Sequence, residues 1–236
     1  MEPDYSVLNP EIVDYIRDNI FSRYNPANGH GLDHIKNVAR RSLDLAKRIN
    51  DGSIKTTAKD FKNLPEELKN PRKIDYDMSF VIASYHDLGR EKNNKLHHLI
   101  SAAWLLDDDF IEDHFSRAKL RVMADAVMDH RASNELVPAT IYGKIVSSAD
   151  RDTDCYDIMR RAYAYNRHIY PDKTESEARD FCYEKICIKF ANKGAYGVKK
   201  MFFDNPEFDA MVKKFQEICV DRATFDVELD KALGKD

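Results

Sequence analysis

Glycine and proline are scarce in this chain, eight of each among 236 residues. A sandwich or barrel of many short strands needs turn residues at regular intervals, so the scarcity argues against an all-β fold. Few stretches alternate apolar and polar residues with period two, and those are short. The four cysteines, Cys155, Cys182, Cys187 and Cys219, contain no Cys-x-x-Cys pair, which removes zinc-ribbon and thioredoxin-type motifs. Cys182 shares an apolar stripe with Phe181 and Ile186 and reads as a small core residue. No apolar run approaches the roughly 18 residues a membrane helix requires. The opening Met1-Glu2-Pro3-Asp4 lacks the apolar core of a signal peptide. Lys and Arg number 37 against 41 Asp and Glu, a net charge of -4, so no bulk field draws in nucleic acid or an anionic membrane. From the cysteine pattern a reducing, cytoplasmic setting is expected.

What the chain has instead is helical periodicity. Asn9-Pro10-Glu11 is a helix start, a capping residue followed by proline and an acid, and Ile12, Ile16 and Ile20 continue it to about Phe21. Asn25 to Gly29 reads as a loop. Leu32, Ile35, Ala39, Ser42, Ala46 and Ile49 mark the buried face of a second helix. Asp51 to Asp75 is a long polar connection, with one short helix at Pro65 to Leu68; a connection of that length is an insertion or a lid. Further helices are expected over Met78–Leu88, Leu96–Leu106, Ser116–His130, Ala139–Asp150 and Asp152–His168. Thr174-Glu175-Ser176-Glu177 is a capping box for a helix reaching Phe190. Asn205-Pro206-Glu207 repeats the Asn9 signal, and a last short helix starts near Thr224. The fold class is all-α.

The helix ends carry the chemistry. The apolar run Phe80-Val81-Ile82-Ala83 closes on Ser84-Tyr85-His86-Asp87-Leu88-Gly89. Neighbouring residues on a helix are rotated by about 100°, so His86 and Asp87 turn toward one point only where the helix ends. His34 edges the buried face of the second helix. His97 lies on a line with Ile100 and Trp104, and His130 on one with Met123 and Val127. Asp150 shares a line with Tyr142 and Val146, and a carboxylate on an apolar stripe needs a partner. Four imidazoles and two carboxylates suit Mn, Fe, Co, Ni or Zn better than Ca or Mg. His98 competes with His97, since it shares a line with Ser101, Ala102 and Leu105.

Three segments in this order resemble the HD-domain metal-dependent phosphohydrolase superfamily: Gly31-Leu32-Asp33-His34-Ile35-Lys36-Asn37-Val38, Ile82 to Gly89, and Ile145-Val146-Ser147-Ser148-Ala149-Asp150-Arg151. His97 with Ser101-Ala102, and Asp129-His130, look like the branch with two further histidines and a dinuclear centre. The segment Phe181 to Ile186 is similar to the C-terminal helix of small bacterial members. The interval from His34 to His86 is longer than in the family, in keeping with an insertion at 51–75. The resemblance implies a single-domain helical bundle: an N-terminal helix over 1–28, a metal-binding core over 29–170, and a helical extension over 171–236 packing on the core. It implies that His34, His86, Asp87 and Asp150 hold one metal and that His97 and His130 complete a second, with Asp87 bridging as the central catalytic carboxylate.

The chemistry so implied is phosphoester or phosphoanhydride hydrolysis by metal-activated water. Arg90, Lys95, Arg131 and Arg151 each follow a candidate ligand and are the candidate phosphate contacts. The expected substrate is a nucleotide or related small phosphate compound. No Gly-Tyr-Pro signature of cyclic-di-GMP breakdown accompanies the motif. Two other classes stay open at this point: a di-iron oxygenase on the same fold, and a nucleotide-binding module without catalysis. Metal identity, substrate identity and oligomeric state are not written in the pattern.

Overall fold

The computed structural model describes residues 2–24, 31–69, 73–132, 134, 136–198 and 201–235. Among them there is no β-strand. The chain divides into two compact units, one ending at Asp150 and the other beginning at Arg151.

The first unit is built around α4 (Tyr76–Tyr85), in which every residue from Met78 to Tyr85 is buried. A helix apolar all round must be enclosed, and here α2 (Leu32–Asn50), α7 (Arg117–Asp129) and α8 (Ile141–Ala149) pack against it. Asp75 caps α4, accepting the Met78 N–H at 3.2 Å. Ser116 and Thr140 cap α7 and α8 in the same way. The buried stripe of α2 runs through Ile35, Val38, Ala39, Ser42, Ala46 and Ile49, close to the expected face. α5 (His97–Leu106) lies on α7, and α1 (Pro10–Tyr15) opens the unit with Asn9 as its cap.

Several boundaries differ from the sequence expectation. The first helix stops at Tyr15 and continues as a π turn, Ile16–Ile20, and a 3-10 turn, Phe21–Arg23. The expected loop at Asn25 to Gly29 lies outside the described residues. α4 ends at Tyr85 instead of Leu88. A further helix, α6 (Asp109–His114), was not foreseen; its core contribution is one residue, Ile111, too little for a periodic signal. The 51–75 connection carries a 3-10 turn at Ala58–Phe61 and α3 (Glu66–Lys69). Phe61, Leu64, Leu68 and Ile74 are buried, and Asn63 donates to the Ala139 carbonyl at 2.7 Å. That anchoring fits an insertion packed on its own unit.

The second unit contains α9 (Cys155–Ile169), α10 (Glu175–Phe190), α11 (Pro206–Ile218) and α12 (Arg222–Leu233). Its core includes Met159, Cys182, Ile186, Phe190, Phe208, Phe215, Phe225 and Leu229. Thr174 and Glu177 form the expected capping box, and Asn205 with Pro206 starts α11. The sequence reading placed α9 with the metal-binding core; the structure packs it on α10 and α12. The last helix begins two residues before Thr224, because Asp221 is its cap. All four cysteines are free thiols.

Candidate metal centre

Six side chains from five segments meet inside the first unit. His34 is in the first turn of α2, and His86 caps the C-terminus of α4. Asp87 follows with φ -108° and ψ 0°, near the bridge region where many active-site residues sit. His97 opens α5, His130 caps α7, and Asp150 caps α8. The early end of α4 is what lets the adjacent His86 and Asp87 converge, since a continuing helix would have splayed them.

Asp87 stands at the middle. Its Oδ2 is 3.8 Å from His34 Nε2 and 3.6 Å from His86 Nε2. Its Oδ1 is 3.2 Å from His97 Nε2 and 3.5 Å from His130 Nε2. Asp150 Oδ1 faces the first pair, 3.2 Å from His34 Nε2 and 3.7 Å from His86 Nε2. Across the second pair, His97 Nε2 and His130 Nε2 are 3.3 Å apart. The two oxygens of one carboxylate therefore address two different pairs of imidazoles.

The orientation of the rings is fixed from behind. The Nδ1 atoms of His86, His97 and His130 lie 2.7, 2.8 and 2.7 Å from the carbonyls of Ala83, Asn94 and Val127, each three residues earlier. A carbonyl only accepts, so each Nδ1 carries the proton and each Nε2 presents a lone pair inward. That is the arrangement of a metal-ligating histidine held by a backbone partner. Arg41 Nη1 donates to the Ala149 carbonyl at 3.2 Å, tying α2 to the end of α8 where Asp150 sits.

Electrostatics agrees with the geometry. Burial alone would raise the Asp150 carboxyl, but His34 and His86 hold it well below the usual carboxylate range. Burial would lower His86, yet Asp87 and Asp150 raise it. Burial lowers His130 despite the nearby negative charges of Asp87 and Asp150. His86 Nε2 is buried without a hydrogen-bond partner, which is costly for a polar atom unless something else meets it there.

The set fits a metal ion. With metal–ligand bonds of about 2.1 Å, two ligands on one ion lie about 3.0–3.4 Å apart, and the donor separations above need to contract by only a few tenths of an ångström. Two overlapping triads, His34/His86/Asp150 and His86/Asp87/His130, have donor atoms all within 4.8 Å of one another. These buried His and Asp groups could hold a metal ion.

His97 and His98 are now distinguished. His97 is buried and in the cluster, on the face shared with Ser101 and Leu105. His98 Nδ1 lies 3.4 Å from Arg131 Nη1, and burial with the Arg131 charge pushes it down to about 4. The cations divide as well. Arg90 Nε is 2.8 Å from Asp87 Oδ2. Arg131 Nη1 donates to the Lys95 carbonyl at 3.0 Å. The Lys95 side chain is exposed. Arg151 belongs to the second unit, its guanidinium 5.3 Å from the Tyr196 ring centre.

Two positioning residues escaped the sequence reading. Tyr24 donates to the Ser84 carbonyl at 2.7 Å, and burial and the Asp87 charge raise its hydroxyl well above the usual value. No periodicity marks it, because it lies past the last helical turn of its segment. Gly89 matters for close approach: its N–H donates to Ser101 Oγ at 2.8 Å, and a Cβ there would stand 2.3 Å from the His97 carbonyl oxygen. Gly89→Ala is expected to push α5 outward and detach His97 from the cluster. Metal analysis should then show the same loss as in His97→Ala; full metal content in Gly89→Ala would mean that the contact is slack.

Comparison with family models, with curated proteins and with solved structures returned no match.

Proposed function

We propose that this chain is a metal-dependent phosphohydrolase of the HD-domain type, acting on a nucleotide or related small phosphate compound. The single observation that carries the reading is the split of Asp87, with Oδ2 toward His34 and His86 and Oδ1 toward His97 and His130. With His34 and His86 on one side and His97 and His130 on the other, Asp87 would help hold metal, which would supply the Lewis-acid chemistry that displacement at phosphorus needs. The helical setting and the buried His/Asp cluster are compatible with that fold type.

Divalent Mn, Fe, Co, Ni or Zn bound here would supply a water of lowered pKa and neutralise charge on phosphate oxygens. The chain supplies the rest. Backbone carbonyls hold three imidazoles in one tautomer, so no reorganisation precedes ligation. Asp87 and Asp150 bring two negative charges to match the incoming cations. Arg90, beside Asp87 and 22% exposed, is placed to receive a phosphate oxygen in its planar fork. Arg131 adds a second cation, anchored on the Lys95 carbonyl and facing His98.

The test is metal content and turnover of the gently purified full chain. About two ions per chain are expected, falling to about one in His130→Ala, with phosphate released from nucleoside phosphates in the presence of manganese. Oxygen consumption with iron and no phosphate release would move the chain to the oxygenase class. A chain that takes up no ion from added manganese or iron is not a hydrolase of this type.

A further inference from the structure

His97 and His130 stand on different helices, α5 and α7, yet their Nε2 atoms are 3.3 Å apart. Both face Asp87 Oδ1, at 3.2 and 3.5 Å. Each ring directs its Nδ1 proton to a backbone carbonyl, so both Nε2 atoms are acceptors. Two acceptors turned toward each other do not attract. Their approach depends on how the start of α5 is held against the end of α7. One turn further along α5, Ser101 Oγ accepts the Gly89 N–H at 2.8 Å, which fixes the helix there but not at its start.

Arg131 supplies the grip at the start. It directly follows His130, and its Nη1 donates to the Lys95 carbonyl at 3.0 Å while lying 3.4 Å from His98 Nδ1. Lys95 and His98 flank His97 along the chain. One guanidinium nitrogen, attached beside one candidate ligand, thus reaches the chain on both sides of another. The carbonyl it grips is presented by a closed turn. Asn93 Oδ1 accepts the N–H groups of Lys95 and Leu96 at 2.9 and 3.1 Å, and the Asn94 carbonyl lies 2.8 Å from His97 Nδ1. A pull on Lys95 is therefore passed to the His97 ring. The donor is charged, which makes its hydrogen bond stronger than a neutral one.

We propose that Arg131 is a positioning residue, a brace between two helix ends that sets how closely His97 approaches His130. This duty is separate from receiving a phosphate. Its consequence for metal rests on the two-ion reading above, and it carries a sign of its own. By charge alone, removing a cation beside the centre favours incoming metal ions. By loss of the brace, the same removal loosens the His97/His130 pair and weakens the ion held there. Groups that orient metal ligands are worth about 10–100-fold in metal affinity. The guanidinium is partly exposed, so solvent screens its charge and the loss of the brace dominates. The His34/His86 pair faces the other oxygen of Asp87 and Asp150 Oδ1, so it keeps its ion.

The test compares the full chain with Arg131→Met, which loses the donors and the charge, and with Arg131→Lys, which keeps a charged donor. In metal-free protein, the imidazole signals of His97, His98 and His130 in nitrogen-correlated proton NMR are expected to move in Arg131→Met, while those of His34 and His86 stay. Manganese titration should show one of two binding events weakened about tenfold or more and the other unchanged. Arg131→Lys should recover most of both effects, because one bond to a carbonyl needs a donor and not the planar fork. The melting temperature should stay within a few degrees of the parent, as for other partly exposed positions. Unmoved imidazole signals overturn the proposal. So does unchanged or tighter binding of both ions in Arg131→Met, which would leave Arg131 acting by its charge alone. A loss shared equally by both ions and not recovered by Arg131→Lys also overturns it, as a general loosening of the unit. If the parent takes up one ion or none while the signals of Arg131→Met still move, the brace stands and the two-ion reading falls.

Discussion

Asp87→Asn is expected to strip the protein of bound metal and to reduce phosphate release to background. The substitution keeps the size of the side chain and changes only its charge and donor set. Asn offers one neutral oxygen, and its NH2 group has no lone pair for a metal. Both oxygens of Asp87 now face pairs of imidazoles, so either orientation of the amide leaves one pair without its oxygen. The site would also lose one of its two negative charges. The expected loss in turnover is at least about 10³-fold, the scale seen when a preorganised electrostatic group is removed. Elemental analysis and phosphate release measured together on the same sample decide it. Retention of two ions with activity lost would make Asp87 a proton-transfer group instead of a bridge. Retention of both would remove Asp87 from the centre altogether.

Arg90→Gln is expected to move metal affinity and turnover in opposite directions. Arg90 Nε sits 2.8 Å from Asp87 Oδ2, so the guanidinium competes by charge with any cation at that oxygen. Removing it should tighten manganese binding about tenfold; the side chain is partly exposed and solvent screens the rest of the Coulomb term. The same removal takes away the proposed phosphate contact and should lower kcat/KM about 10²-fold or more. Arg90→Lys should not restore turnover, because an ammonium lacks the planar fork that grips two oxygens. Isothermal titration with manganese gives the first number and steady-state kinetics the second. Weaker metal binding in Arg90→Gln would show that Arg90 supports the centre instead of competing with it.

Much of the scaffold was legible because it rests on local rules. Asn9, Thr174 and Asn205 cap helices through side-chain oxygens that satisfy nearby backbone N–H groups, and those signals need no tertiary information. The face of α2 follows from 3.6-residue periodicity alone. The apolar run Phe80 to Ala83 likewise marked the body of α4, and the structure shows it enclosed. By contrast, α6 buries one side chain and α9 is amphipathic without saying toward which partner. Periodicity names a face; it does not name what covers that face.

The sequence by itself determined that the chain is helical, where most helices begin, and that four histidines and two aspartates stand at or near helix ends and apolar edges. Only the tertiary structure decided how those donors divide. It turned Asp87 so that its two oxygens address different imidazole pairs. It chose His97 over His98, gave Arg90 to Asp87, and placed α9 in the second unit. The physical reason is range: caps and periodicity are set within a few residues along the chain, whereas convergence depends on where α4 stops and on how closely α5 approaches Gly89. Those features belong to the packing of several helices at once.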